Sequence, residues 1–221
     1  MKYLLQTINR LRNIVGHYID NAVRVFNESE NVFLTFDDGP HPEYTLKIAS
    51  MLEEKGHFAT FFFTGEQAER YPDVVKTIAS SDHSIGSHSY SHLKGWKSNF
   101  INLFQDYKRG HSAVSSSSDS NHINLFRPPF GHYDWKCKIC AKILKLNVVL
   151  WTVDSYDWVE SMSSEKIVED LEKNLKAGSV ILLHDWLQGY KIDQDRAECI
   201  ETVKLLISTL DRLKLRSAAI N

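Results

Sequence analysis

The chain has 221 residues, and its 43% hydrophobic content supplies a sizeable core for one large domain. A formal net charge of −2, with no long run of a single sign, excludes a general attraction to nucleic acid or to anionic membranes. Three cysteines cannot all pair within one chain, so a disulfide framework is not expected.

The first 30 residues carry apolar positions at helical spacing: Leu4, Ile8, Leu11, Val15, Tyr18, Ala22 and Val25. They predict an amphipathic helix packed on the body of the domain. Lys2, Arg10, Arg12 and Arg24 raise the alternative of an interfacial anchor. The segment is not a standard signal peptide, because polar residues interrupt it and no small-residue cleavage site follows. Membrane association is not expected, and no motif decides between cytoplasm and cell envelope or sets the oligomeric state.

From residue 31 to residue 221 the chain reads as one domain in which strands and helices alternate. Apolar, β-branched or aromatic runs at 32–36, 58–63, 83–86, 124–126, 148–152 and 179–183 predict strands, and SAAI at 217–220 is a short further one. Helical patterns occupy 45–55, 66–80, 98–113, 134–145, 164–176 and 196–214. Alternation of this kind implies parallel βαβ units, and about seven of them suggest an irregular (β/α) barrel or, failing that, an open α/β sheet. The serine-rich stretch 112–122 reads as a flexible surface loop.

In such architectures ligands bind at the carboxyl ends of the strands. Ionisable residues collect there. Asp37 and Asp38, in TFDDGP, follow the first strand, and His88 and His92, in HSYSH, follow the third. Arg127 in RPPF follows the fourth, Asp154 and Asp157 in DSYDW the fifth, and His184 in LLH the sixth. Two histidines four residues apart reach one ion from a helical turn, and a carboxylate completes a His₂Asp set with an open position, an arrangement suited to zinc. One of the two adjacent aspartates then binds the ion, and the other is free to take a proton from water. Arg127 can orient a carboxylate. The two prolines leave the Phe130 amide as the next free N–H, which a rigid loop can aim at an oxyanion. Trp158 offers an aromatic wall, and a carboxylate beside His184 would make it a better acid.

These five motifs, in this order, closely resemble those of the polysaccharide deacetylases of carbohydrate esterase family four, the NodB-homology domain, over roughly residues 31 to 215. The resemblance implies a distorted (β/α)7 barrel and a divalent metal ion, Zn²⁺ by default with Co²⁺ or Ni²⁺ as substitutes. It implies Asp38, His88 and His92 as metal ligands, Asp37 as base oriented by Arg127, and His184 as acid paired with Asp157. Phe130, Trp158 and Leu182 would bind substrate, Phe130 through its backbone N–H. The implied reaction removes N-acetyl groups from an amino-sugar glycan: peptidoglycan, chitin oligomer or surface polysaccharide. An O-acetyl xylan esterase, a small cyclic-amide hydrolase and a non-catalytic sugar-binding protein are the alternatives. A non-haem iron oxygenase fits less well, because its His-x-Asp spacing is absent. One departure is Phe130, where the family's third motif commonly ends in tyrosine. Cys137 and Cys140 read as inert thiols, His41 as either a pocket-border or a plain loop residue, and Trp96 and Trp186 as either core or sugar-stacking residues.

Overall fold

The computed structural model describes residues 22, 26, 29–118, 123–189 and 195–221. Among them the strands β1 (Phe33–Asp37), β2 (Ala59–Phe63), β3 (Ser84–Ser87), β4 (Leu125–Phe126), β5 (Asn147–Val148), β6 (Val153–Asp154) and β7 (Val180–His184) form one sheet. Every pairing is parallel, in the order β5-β4-β3-β2-β1-β7-β6. The sheet curls into the distorted (β/α)7 half-barrel that the sequence implied, with its open edge between β5 and β6. The helices are α1 (Tyr44–Glu53), α2 (Gly65–Arg70), α3 (Pro72–Ala79), α4 (Phe100–Ser117), α5 (Trp135–Leu144), α6 (Ser164–Asn174) and α7 (Ala197–Leu213).

The central strands FLTFD, ATFFF and VILLH are apolar on both faces because both faces are covered. Leu34, Phe36, Phe61, Phe63, Ile181 and Leu183 pack outward on helix residues such as Ile48, Leu52, Ile78, Leu171 and Val203. The alternate residues Phe33, Phe62 and Val180 pack together inside the curl with Val149 and Ile220. Each such side chain contributes about 1.5–3 kcal/mol by leaving water. The period of two continues to the strand ends. Asp37 therefore shares the inner face with Phe33, and Leu182 and His184 share it with Val180.

Several expectations need correction. The run 148–152 is not one strand. Val149 N–H still bonds Phe126 O (2.9 Å), but Thr152 N–H bonds Val180 O (2.9 Å), so the segment crosses the open edge and serves both ends of the sheet. The pattern 66–80 is two helices, since Pro72 cannot continue α2 and instead starts α3. Residues 112–117 are not a loop but the last turns of α4, where Ser117 Oγ bonds the carbonyls of Ala113 (2.9 Å) and Ala68 (3.2 Å). SAAI contributes only an isolated parallel bridge, Val32 to Ser217. The expected N-terminal helix lies outside the described residues, apart from Ala22, Phe26 and residues 29–30; Phe26 packs on Phe33 with ring centroids 4.2 Å apart. No helix among the described residues is long and apolar enough to cross a membrane.

Candidate active site at the carboxyl ends of the strands

β1 ends at Asp37, which is in register with Phe62 on one side and His184 on the other. The next residue, Asp38, has φ 75°, a left-handed conformation that L side chains adopt at a cost of roughly 1–3 kcal/mol. The turn is held from β7. Asp185, fully buried, accepts hydrogen bonds from Gly39 N–H (3.1 Å) and from the Thr45 hydroxyl. Its carboxylate lies so close to Gly39 that no Cβ would fit there. Burial, first of all, lifts the Asp185 pKa to about 7.

The loop after β3 is not the helical turn expected for His-x-x-x-His. Ser89 (φ 67°) and His92 (φ 55°) are both left-handed, and they fold the loop back so that the two imidazoles converge with centroids 5.1 Å apart. Asp106 on α4 clamps it, accepting from Tyr90 N–H (3.2 Å), Ser91 N–H (3.1 Å) and Ser91 Oγ (2.6 Å). Gly110, one turn along α4, lies against the Ser89 backbone where a side chain would clash.

Asp38, His88 and His92 bring three ligand atoms within 4.8 Å of one another. His88 Nδ1 lies 2.8 Å from Arg127 O and donates to it, so Nε2 presents a lone pair. Burial and the neighbouring His92 push the His88 pKa down to about 3, which keeps that lone pair free. It points at Asp38 Oδ1, 3.4 Å away, and His92 Nε2 is 3.3 Å from the same oxygen. Asp38 Oδ1 is buried with no hydrogen-bond partner, whereas Oδ2 accepts from Gln188 N–H (2.8 Å). Electron-rich atoms facing one another fit a cation between them. Ligands about 2.0–2.1 Å from a tetrahedral zinc stand about 3.3–3.4 Å apart, which matches both spacings.

Arg127 is among the largest fully buried side chains of the protein. Its Nη1 donates to Asp37 Oδ1 (2.8 Å) and Thr35 Oγ1 (2.7 Å), and its Nε donates to Val149 O (3.1 Å). The guanidinium also stacks over Phe62, 4.3 Å from the ring centroid. Burial raises the Asp37 pKa, against the opposing pull of Arg127.

On the other side, His184 Nδ1 meets Asp157 Oδ1 at 2.7 Å, and His184 N–H donates to Asp157 Oδ2 (2.8 Å). Burial works to lower the His184 pKa, but Asp157, helped by Asp38 and Asp37, lifts it to about 9. Burial would raise Asp157, yet His184 and Arg196 hold it below the usual carboxylate range. Arg196 donates to Asp157 Oδ2, Asp157 O and His184 O, each at 3.2 Å.

One cavity of about 370 Å³ is lined by Asp37, Asp38, His88, His92, Phe130, Trp158, Leu182 and His184, all expected at the site. Asp154, also at the expected rim, lines it too. Arg127 and Asp157 stand behind the lining, each paired with a residue that forms it. Trp151, Leu187 and Gln188 line the cavity without having been anticipated, and Asp106, Asp185 and Arg196 support it from behind. None of those six lies in a readable pattern, save that Asp185 directly follows His184. Phe130 sits at φ 58° in a 3₁₀ turn, its ring 4.4 Å from that of His92. Trp186 is buried and stacks on His41, which in turn stacks on Tyr44. Cys137 and Cys140 are buried, and burial raises both thiols above their ordinary pKa.

Residues 26–149 match the family model of polysaccharide deacetylases. A peptidoglycan-N-acetylglucosamine deacetylase of Bacillus cereus is 33% identical over 190 residues, covering 85% of this chain and 84% of that protein. A chitooligosaccharide deacetylase of Azorhizobium caulinodans is 28% identical over 167 residues, covering 76% and 79%. A family 4 carbohydrate esterase of Streptomyces lividans superposes with a TM-score of 0.76 at 29% identity, covering 87% of this chain and 93% of that one. The fold, the site and these likenesses define a polysaccharide deacetylase. The chain belongs to that family, carbohydrate esterase family four.

Proposed function

We propose that residues 31–221 form a catalytic domain that hydrolyses N-acetyl groups on an amino-sugar glycan, releasing acetate and a free amine. Chitin oligomers and peptidoglycan are the substrate classes that its relatives' activities support. The observation that carries the reading is the orphaned Asp38 Oδ1, facing two imidazole nitrogens beside an aspartate held by a buried arginine.

Asp38, His88 and His92 would hold one divalent ion, Zn²⁺ by the chemistry of its ligands, with Co²⁺ or Ni²⁺ able to replace it. When bound, the ion supplies Lewis-acid polarisation of the acetyl carbonyl and acidifies the attacking water. Asp37 accepts a proton from that water, and Arg127 fixes its carboxylate for the task. The Phe130 backbone N–H donates to the oxyanion that develops as the new C–O bond forms; a donor of this kind is worth about 3 kcal/mol in comparable sites. Trp158 and Leu182 wall the acetyl methyl. As the C–N bond breaks, His184 passes its proton to the leaving nitrogen, and Asp157 keeps that imidazole oriented and charged. A leaving amine needs this proton more than a leaving alcohol does, and a His184 pKa lifted to about 9 keeps the imidazole charged at neutral pH to supply it.

The test is acetate release from chitin oligomers, peptidoglycan fragments and acetylated xylan, with Zn²⁺ and with a chelator. Chelator-sensitive acetate from the first two, matched by an equal gain of free amine, is expected. Release from xylan alone, with no gain of amine, would replace this reading with esterase activity.

A further inference from the structure

Four aromatic side chains near the pocket, Trp96, Phe130, Tyr156 and Trp158, are about half exposed. They form two pairs. Phe130 lines the pocket, and Trp96 stands beside it outside the lining, centroids 5.1 Å apart and nearly edge-on. Trp158 lines the pocket, and Tyr156 stands beside it, 6.1 Å away. Trp96 lies in the loop after β3, Phe130 in the loop after β4, and the second pair in the loop after β6, so the two pairs lie on opposite sides of β1 in the sheet.

Trp96 is fixed in place. It sits in the 3₁₀ turn Gly95–Lys97. Lys136 of α5, largely buried, donates from Nζ to Gly95 O (2.6 Å) and Ser98 O (2.8 Å), on either side of the tryptophan. His132 packs on Gly95 so closely that a Cβ there would stand 2.9 Å from its Cδ2. The same imidazole meets the indole edge-on at 5.3 Å. A large exposed ring immobilised in advance loses little freedom on engaging a ligand. Its flat apolar face complements the C–H face of a pyranose, and the pyranose hydroxyls remain in water.

We propose that Trp96 is a stacking subsite for a sugar ring adjoining the one whose acetyl group enters the pocket. The inference rests on the amino-sugar reading above. Phe130 borders both the pocket and Trp96, so a glycan that leaves the pocket across Phe130 meets the indole next. Trp96 thereby sets a preference for oligomers over the single sugar.

The experiment uses the N-acetylglucosamine series from monosaccharide to pentasaccharide with zinc-loaded wild type, Trp96→Ala and Trp96→Phe. The alanine variant is expected to match wild type on the monosaccharide and to lose about five- to tenfold in kcat/KM from the disaccharide upward, with phenylalanine restoring most of the loss. An equal loss at every length, or no loss at any, overturns the subsite. Binding of the same series, measured calorimetrically in an Asp37→Asn background with and without Trp96→Ala, separates this inference from the catalytic reading. Oligomers that bind with a Trp96-dependent gain in affinity but are never turned over by wild type would overturn the deacetylase and keep the subsite. Binding that ignores Trp96, or no binding at all, overturns the subsite.

Discussion

Asp37 and His184 stand in register across β1 and β7, each at the last position of its strand. The parallel pairing places a carboxylate and an imidazole on the same inner face although they lie far apart in the chain, like the neighbouring Gly39–Asp185 contact, which spans 146 positions. Each is backed by an opposite charge, Asp37 by Arg127 and His184 by Asp157. The proposed proton acceptor and the proposed proton donor thus face the cavity from adjacent strands, beside the candidate metal ligands.

Replacing Asp37 by asparagine removes the proposed base and keeps the shape. Turnover is expected to fall by on the order of a hundred- to ten-thousandfold. Bound metal, measured by elemental analysis, is expected to stay at wild-type stoichiometry. Undiminished turnover would take the base role away from Asp37.

The rate should depend on the His184 proton. With its pKa lifted to about 9, the proposed acid is charged at neutral pH and loses its proton as pH rises through about 9. The alkaline limb of kcat against pH is therefore expected near 9. The folded pKa lies above the ordinary histidine value near 6.5, so the dyad's contribution to stability is complete below that value and disappears as pH rises through 9. Melting curves at pH 7 and pH 10 should show a drop in Tm that shrinks in His184→Asn.

Arg196 is expected to position the dyad. With Arg196→Gln, kcat should fall on the order of ten- to a hundredfold with little change in KM, and the alkaline limb should move below 9 as Asp157 loses alignment. Arg196→Lys should recover part of the loss. If the arginine acted only as a nearby positive charge, its removal would instead raise the limb, which a pH–rate profile reads directly.

Asp106 holds the histidine loop by three hydrogen bonds. Asp106→Ala leaves two backbone N–H groups without their acceptor, each costing about 1–3 kcal/mol if it stays buried. Zinc affinity is expected to fall roughly ten- to a hundredfold, as for other residues that support metal ligands. Calorimetric titration of the variant checks it, and unchanged affinity would make Asp106 purely structural.

Much of this was legible in the sequence because each motif lies where an apolar run stops. The runs in FLTFD and VILLH located Asp37 and His184 within a residue of their strand ends. The loop His88–His92 was misread because the spacing of four also suits a helix, and neither Ser89 nor His92 announces a left-handed backbone as a glycine would. The split between β5 and β6 depends on which edge each amide reaches, a tertiary matter that a continuous apolar run conceals. Asp106 and Arg196 carry no local pattern, and only folding brings them to the loops they hold. The serines of 112–117 read as a loop because composition does not reveal that Ser117 can bond back onto its own helix.

The most direct test is a zinc titration of metal-stripped protein, following bound metal and acetate release from a chitin oligomer together. Activity rising in step with zinc and saturating at one ion per chain, with His88→Ala and His92→Ala neither binding nor turning over, is the predicted result. Full acetate release by metal-free protein, or by either histidine variant, would contradict the account.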